Sequence, residues 1–300
     1  MTFKRLLAAL CLAVPAGVAV AAAAAASAIT VVDDAGQRVT LAAPARRIIS
    51  MAPHITELLF AAGGGERIVG AINFSDYPEA AKKIPLVGSN AQIDMERVIA
   101  LKPDLLIVWQ SGNTGRQLEQ LGKLGIPVFQ SEPNKLDQVA DSLTRFGRLL
   151  GTEPVAAAAA AQFRASIASL GARYRGRPPV TVFYQIWDKP IFTLSSKHLI
   201  NDAIRLCGGE NVFAGLTVVA PSVSTEAVLQ ANPEAIFGGD QHDPDDAGIG
   251  IWRPYRSLLA VERGNLFRLE GELLTRPGPR VAQGAAQLCE KIELARQRRK

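Results

Sequence analysis

The feature that most constrains this chain is a pattern of 15 residues that it contains twice. The two copies are IDMERVIALKPDLLI at 93–107 and VSTEAVLQANPEAIF at 223–237. They align without a gap when Glu96 is placed on Glu226. In each copy a short polar residue, Asp94 or Ser224, stands two positions before the Glu. Such a residue caps a helix by accepting hydrogen bonds from its free backbone N–H groups.

Both copies continue in the same way, with an apolar helical run, a proline and an apolar strand. Pro103 and Pro233 cannot continue a helix, so each copy predicts a short helix that leads into a buried strand. A second repeat precedes each copy, where a helix ends in glycines, at 63–70 (GGGERIVG) and 208–215 (GGENVFAG). Glycine closes helices because it adopts the left-handed conformation without strain. The chain is therefore predicted to form two lobes on one plan.

The amino terminus has the pattern of a secretory signal peptide over residues 1–28. Lys4 and Arg5 precede an apolar run, and Ala26-Ser27-Ala28 provides a small-residue cleavage site. A transmembrane anchor is the alternative, although no charges follow the run to stop transfer. Cys11 lies within the run and is expected to be removed with it.

The charge of the chain is concentrated at its ends. The net charge is +5, but Lys4 and Arg5 belong to the leader, and four positive residues form the tail, Arg296, Arg298, Arg299 and Lys300. The rest of the chain is close to neutral and has no basic stripe interleaved with aromatic residues, so it is not predicted to bind nucleic acid. The tail is predicted to be a solvated helix end.

Cys207 and Cys289 are the two cysteines that remain after processing. In an oxidising compartment such a pair is most simply a disulfide, which would contribute about 4 kcal/mol by closing a long loop. Two separate buried thiols are the alternative.

Short apolar strands alternate with helices along both halves, which predicts an α/β fold with largely parallel sheets. Residues 136–150 form one amphipathic helix, and Thr152-Glu153-Pro154 starts a second that continues to about Tyr174. Some 22 residues of helix span about 33 Å, enough to join two lobes. The predicted division is a signal peptide (1–28), an N-terminal lobe (29–150), a connecting helix (151–176) and a C-terminal lobe (177–300).

Open α/β sheets bind ligands at the carboxyl ends of their strands. His54 lies at such a position, between the predicted strand 47–51 and the next helix, and Trp109 and Trp187 end two other strands. Imidazole is a good ligand for cobalt or iron, so His54 is a candidate metal ligand, with helix capping as the alternative. His242 lies among acidic residues that lack the spacing of a calcium loop.

The order of motifs resembles the class III periplasmic binding proteins, which deliver cobalamin, haem or siderophores to ABC importers. The resemblance covers about residues 46–292 and is strongest to the cobalamin branch. It is carried by TELLFAAGGGERIVG, FSDYPEAAKKIPLVG, the Glu pattern with LKPDLLIVW, CGGENVF, VSTEAVL and RPGPRVAQGAAQLC. It implies two Rossmann-like lobes joined by a single long α-helix, with the ligand held between them.

The resemblance also implies a ligand site. Tyr77 and Trp109 match positions that pack against a corrin, and flat aromatic faces suit a macrocycle. Trp187 is a candidate second-lobe face. For each of the three, an ordinary core aromatic residue is the alternative. Further predicted lining residues are Ser111, Gly112, Asn113 and the segment 272–275 with Leu273 and Thr275. One departure is Val219-Ala220-Pro221, where an aromatic residue was expected before the second Glu pattern.

Glu96 and Glu226 match the acidic residues that meet arginines of the permease dimer in this family. One Glu near a helix start on each of two equivalent lobes also gives a pseudo-symmetric pair of charges that suits a symmetric partner. The alternative is that both serve only their own helices as capping acids.

The predicted function is a monomeric periplasmic protein that carries a corrinoid to an inner-membrane permease with its ATPase subunits and performs no chemistry. A haem or ferric-siderophore carrier of the same fold is the alternative, with His54 and Tyr77 as an axial pair for haem. An exported enzyme is a third class, but the chain has no P-loop, nucleophile elbow or HExxH motif. With one connecting helix, the lobes are expected to rotate by less than about 20°.

Overall fold

The computed structural model describes residues 28–239 and 248–299. The predicted signal peptide, except for its last residue, lies outside the described residues, and so do Cys11, His242 and Lys300. No helix in the described ranges is both long and apolar enough to cross a membrane.

The first lobe has a four-stranded parallel sheet in the order β4-β3-β5-β6, preceded by the antiparallel hairpin β1-β2. Its strands are β1 (Ile29–Val32), β2 (Arg38–Leu41), β3 (Ile48–Ser50), β4 (Ile68–Ala71), β5 (Leu105–Trp109) and β6 (Val128–Ser131). Its helices are α1 (Pro53–Ala61), α2 (Met95–Ala100), α3 (Gly115–Gly122) and α4 (Leu136–Leu150). The central strands are apolar along their length, as expected for a sheet covered on both faces.

A single long helix, α5 (Glu153–Tyr174), follows α4 and leads into the second lobe, as predicted. Its alanine-rich start packs closely on α4, where a Cβ on Gly147 would lie 2.4 Å from the Ala156 Cβ atom. The alanine tract is therefore part of a tightly packed helix pair.

The second lobe repeats the plan of the first. Its strands are β7 (Val180–Gln185), β8 (Trp187–Asp188), β9 (Ile191–Phe192), β10 (Gly209–Asn211), β11 (Ala235–Gly239) and β12 (Leu266–Leu269). Its helices are α6 (Leu199–Leu206), α7 (Thr225–Ala231), α8 (Leu259–Glu262), α9 (Gly271–Thr275) and α10 (Val281–Gln297). The parallel sheet has the order β10-β7-β11-β12, and β8-β9 is a separate hairpin.

The two parallel sheets have the same strand order. In each, the second strand along the chain (β4 or β10) lies on one side of the first (β3 or β7), and the third and fourth follow on the other side. This shared order confirms the prediction of two lobes on one plan. The repeated pattern forms α2 and β5 in one lobe and α7 and β11 in the other, with Asp94 and Ser224 accepting the capping hydrogen bonds from Arg97 N and Ala227 N.

The largest apolar core runs through both lobes. It includes Leu58 of α1, Phe146 of α4, Phe163 of α5, Ile204 of α6 and Leu288 of α10. Each lobe has a further core on the opposite face of its sheet. Because apolar packing crosses from one lobe to the other, the lobes are joined by more than a flexible tether. The boundaries given above for the lobes stay a prediction.

The predicted disulfide is present, joining Cys207 after α6 to Cys289 in α10. The prediction of a solvated tail is wrong for the described residues. Arg296 donates to the carbonyl oxygens of Pro178 and Cys207, and Arg299 forms an ion pair with Glu234. The arginines pair because the end of α10 lies beside the segments that precede β7, β10 and β11, where carbonyl oxygens and the Glu234 carboxylate accept from them.

Candidate functional site

Residues that follow the strands of both sheets surround one cavity between the lobes, with a volume of about 70 Å³. The first lobe contributes Trp109, Ser111, Glu132, Pro133 and Asn134, and the second contributes His198, Leu199, Val219, Leu274, Thr275 and Pro277. Both groups lie beyond the carboxyl ends of parallel strands, where open α/β folds bind ligands. We call this space the interlobe cavity.

Trp109 is held at the cavity by the short loop that follows β5. Its backbone N–H donates to the Asn113 Oδ1 atom and its carbonyl oxygen accepts from the Asn113 N–H, both at 3.0 Å. Gly112 lies directly beneath the indole, because a Cβ there would lie 1.9 Å from the Trp109 Cε3 atom. Gly112 and Asn113 thus position Trp109, and Asn113 itself is buried.

Ser111 and Glu132 form a polar edge of the same cavity. The Glu132 carboxylate accepts from the Ser111 backbone N–H at 2.8 Å and from its hydroxyl at 3.0 Å. Glu132 follows β6 directly. The rule that ligands bind at the carboxyl ends of strands, which indicated Trp109 at the end of β5, would therefore also have indicated Glu132.

In α9 the side chains are distributed differently from the sequence-based prediction. Thr275 lines the cavity, with its hydroxyl donating to the Gly271 carbonyl oxygen at 2.8 Å. Leu273 and Leu274 are both buried, but only Leu274 is among the residues that line the cavity. One residue along a helix turns the side chain by about 100°, which accounts for the difference.

His54 lies behind Trp109, where the two rings meet edge to face with centroids 5.5 Å apart. Burial, with a smaller effect of Arg276, lowers its pKa to about 3, so the imidazole is neutral. Its Nε2 atom is buried and has no hydrogen-bond partner among the described residues. Metal ligation by His54 would therefore require Trp109 to move, and it stays a prediction.

Tyr77 lies outside the interlobe cavity, in a groove of about 560 Å³ between α1, α5 and the start of α10. The Arg280 guanidinium group lies 4.0 Å from the centroid of its ring, as in a cation–π pair. The face predicted to meet a ligand is therefore occupied by an arginine of the other lobe.

The same arginine belongs to a cluster of charges that bridges the lobes. Arg280 donates to both carboxylate oxygens of Glu57, at 3.0 and 2.6 Å, and Arg276 bonds the Asp76 carboxylate at 2.6 Å. Partial burial by itself raises the pKa of Asp76, but Arg276 outweighs it and leaves that pKa below its ordinary value. We call these four residues the interlobe ion cluster.

Trp187, in β8, is 54% exposed and is not among the residues that line the interlobe cavity. Its indole N–H donates to the Lys189 carbonyl oxygen at 3.2 Å. Val219 lines the cavity at the segment where an aromatic residue was expected. In this structure the second lobe thus presents aliphatic and polar side chains to the cavity.

Glu96 and Glu226 are exposed at the second residue of α2 and α7, respectively. Hydrogen bonds from its own backbone N–H and from the Ser224 hydroxyl lower the pKa of Glu226. The residue after Glu96 is Arg97 and the residue after Glu226 is Ala227, and these occupy the third helical position, where a capping box needs Glu or Gln. Neither Glu is therefore placed to complete one.

Sequence reasoning assigned no role to several residues of the site. Arg276 and Arg280 stand in a quoted motif, but their partner Glu57 is more than 200 positions away, and no local pattern signals such a pair. His198 precedes α6, but histidine is not one of the usual N-cap residues, so no sequence signal marked it. Within the described ranges, no group of three or more His, Cys, Asp or Glu residues is placed to hold a metal ion.

Comparison with known proteins gives consistent matches. The family model for periplasmic binding proteins matches residues 48–273. The chain is 34% identical over 259 residues to the vitamin B12-binding protein of Vibrio vulnificus, covering 86% of this chain and 94% of the relative.

Two solved structures are also similar to this chain. The periplasmic vitamin B12 binding protein BtuF of Vibrio cholerae matches with a TM-score of 0.78 and 36% identity, covering 85% of this chain and 99% of that one. The periplasmic heme-binding protein RhuT from Roseiflexus matches with a TM-score of 0.73 and 25% identity, covering 83% and 98%.

Proposed function

The chain belongs to the periplasmic binding protein family, and we propose that it captures cobalamin or a related corrinoid between its lobes for delivery to an ABC importer. It is a solute-binding protein rather than an enzyme, and the corrinoid is its cargo rather than a cofactor. The relatives named for vitamin B12 cover most of its length.

The observation that carries this proposal is the composition of the interlobe cavity. It combines the Trp109 indole with the hydroxyl groups of Ser111 and Thr275, and its charged lining residue is Glu132. No lysine or arginine is among its lining residues in the described part of the chain. The rim of a corrin carries mainly neutral amides, whereas a haem carries two carboxylates. Around Trp109 and His198, an acidic lining without a cation therefore favours the neutral amides of the corrinoid.

The size of the cavity indicates that the lobes must separate to admit the ligand. Its volume of about 70 Å³ is far below the range of about 300–1,000 Å³ that holds drug-sized molecules, and a cobalamin is larger than these. Opening would break the interlobe ion cluster and free the face of Tyr77 from Arg280. Tyr77, Trp109 and Trp187 are thus our proposed aromatic contacts in the opened cleft.

A haem ligand is the second candidate because a heme-binding protein shares the fold. The predicted axial pair is not preassembled, however, because His54 packs on Trp109 while Tyr77 packs on Arg280. The geometry therefore supports haem less well than a corrinoid.

We further propose that Glu96 and Glu226 dock the protein, as a monomer, on a permease dimer that is driven by ATPase subunits. Support comes from their exposure at matching positions of the two lobes. Replacing both with arginine is expected to abolish corrinoid uptake by cells while the purified protein keeps its affinity. An equal loss of affinity would mean that the two residues are structural.

A periplasmic location follows from the family, and we propose that residues 1–28 direct export as a cleaved signal peptide. Mass spectrometry of the secreted protein would test this, with a mature chain that begins at Ile29 as the expected result. Retention of the leader would favour the anchor instead.

Calorimetric titration of the mature protein with cyanocobalamin, and in parallel with hemin, tests the ligand. Tight one-to-one binding of cyanocobalamin with none of hemin is expected. Binding of hemin alone would overturn the proposed ligand while leaving the fold and the docking proposal in place.

A further inference from the structure

His198 lines the interlobe cavity from the second lobe. It is the N-cap residue of α6, and its Nδ1 atom accepts a hydrogen bond from the Ile200 N–H at 3.1 Å. A cap of this kind is more often Ser, Thr, Asp or Asn. Unlike the usual cap residues, histidine has a second ring nitrogen, Nε2, that the capping bond does not use.

The capping bond fixes the tautomer of the ring. In a neutral imidazole one nitrogen accepts and the other carries the proton, so the proton lies on Nε2. Burial lowers the pKa of His198 to about 4, which keeps the ring neutral near pH 7. At its place in the cavity His198 is thus a neutral hydrogen-bond donor.

The same tautomer disfavours metal ligation. A histidine that binds a metal through Nε2 usually donates its Nδ1–H to a carboxylate or carbonyl group. Here Nδ1 is an acceptor, and binding a metal through Nε2 would cost α6 its cap. If the Nε2–H group instead donates to an acceptor atom of the ligand, both the tautomer and the cap of α6 stay unchanged.

The charges around His198 indicate which acceptor it suits. Glu132 lines the same cavity, its carboxylate already bonded to Ser111. Nearby, the Lys135 Nζ atom donates to the Ser196 carbonyl oxygen, and Asp202 of α6 accepts from the Leu136 N–H. A ligand carboxylate would therefore meet the charge of Glu132 without a cation in the cavity lining to offset it, whereas an amide carbonyl oxygen would not.

We propose that the His198 Nε2–H group donates a hydrogen bond to an amide carbonyl oxygen at the rim of the bound corrinoid, and that Glu132 disfavours a carboxylate there. Together they select a ligand with neutral amides over the same ligand with a hydrolysed amide. This inference rests on the proposed function and adds a specificity-determining pair to it.

His198→Ser and His198→Ala separate binding from capping, because serine restores an N-cap acceptor while both variants lack the donor. We expect His198→Ser to keep the melting temperature of the wild type and to bind cyanocobalamin about 3- to 10-fold more weakly, the usual effect of one hydrogen bond. His198→Ala is expected to lose the same affinity and also to melt at a lower temperature.

The matched ligands are cyanocobalamin and its monocarboxylic acids, in which one peripheral amide is hydrolysed. The wild type is expected to prefer cyanocobalamin, and Glu132→Gln should narrow that preference. In ¹H–¹⁵N NMR spectra the His198 ring should show a proton on Nε2, whose resonance shifts when cyanocobalamin is added.

The proposal is overturned if His198→Ser binds cyanocobalamin as tightly as the wild type, which would make His198 a cap only. It is also overturned if the NMR spectra place the proton on Nδ1. The titration of the wild type decides the proposed function separately. If the wild type binds hemin instead, the ratio of the His198→Ser affinity to the wild-type affinity for hemin still decides whether His198 contacts the ligand.

Discussion

The position of the Trp109 indole depends on the absence of a side chain at Gly112. A methyl group on Gly112 would lie 1.9 Å from its Cε3 atom, a separation that forces the indole or the loop to move. The backbone is held by Asn113, so we expect the ring to be displaced rather than the loop.

Gly112→Ala is therefore expected to weaken cyanocobalamin binding by about fivefold or more, because overpacking typically costs 1–3 kcal/mol. Calorimetric titration measures the effect. Gly115→Ala is the control, since a Cβ there has nothing within 4 Å. Equal affinity in the two variants would show that Trp109 is not a ligand contact.

The buried imidazole of His54 makes stability depend on pH. Its folded-state pKa of about 3 lies below the ordinary value of 6.5, so the unfolded chain binds the proton first as pH falls. The stabilisation is present above about pH 6.5 and is lost as pH falls from 6.5 towards 3.

Urea unfolding at pH 7.5 and 4.5 tests this dependence. Between these values the wild type is expected to lose roughly 2–3 kcal/mol more stability than His54→Phe, which keeps an aromatic ring against Trp109 but does not titrate. An identical loss in both proteins would show that His54 is not buried in its neutral form.

At the scale of elements, the sequence predicted most of what local chemistry controls. The caps at Asp94 and Ser224 and the helices at 136–150 and 153–174 depend on residues close in the chain, and the structure has them where predicted. The β8-β9 hairpin was missed, because its two-residue strands are too short to show a period.

The side chains of the site were harder to predict than its location. The carboxyl ends of the strands point to Trp109, which lines the cavity, but placing Leu274 rather than Leu273 there requires the orientation of α9 about its axis. The pairing of Glu57 with Arg280 depends on how two lobes meet, which a single sequence does not encode locally.

The α4–α5 pair connects sequence to the rigidity of the link between lobes. Because Gly147 approaches Ala156 so closely, Gly147→Leu is expected to destabilise the protein by about 1–3 kcal/mol, measured by urea unfolding. Gly122→Leu at the exposed end of α3 is the matched control, with nothing within 4 Å. Similar losses in both would mean that the helices are not in close contact.

At the scale of the whole molecule, the interlobe ion cluster opposes opening. Glu57 is 3% exposed and accepts two hydrogen bonds from Arg280 of the other lobe. If only the open form admits the ligand, the apparent affinity is the affinity of that form multiplied by the fraction of molecules that adopt it.

Glu57→Gln is therefore expected to bind cyanocobalamin with a several-fold higher association rate constant, at a cost of roughly 1–3 kcal/mol in stability. Stopped-flow absorbance measures the rate, and small-angle scattering should show a larger radius of gyration for the free variant. Glu234→Gln is the control, because Glu234 pairs with Arg263 and Arg299 within the second lobe, and none of the three belongs to the interlobe ion cluster. An unchanged rate in Glu57→Gln would mean that the cluster does not limit opening.

The measurement that tests the account most directly is a crystal structure of the mature protein with cyanocobalamin. We expect the corrin between the carboxyl ends of the two sheets, in contact with Trp109. We also expect the lobes to rotate by less than about 20° from their present arrangement, because one helix and a shared core join them. A corrin bound outside this cleft, or a rotation well above 20°, would contradict it.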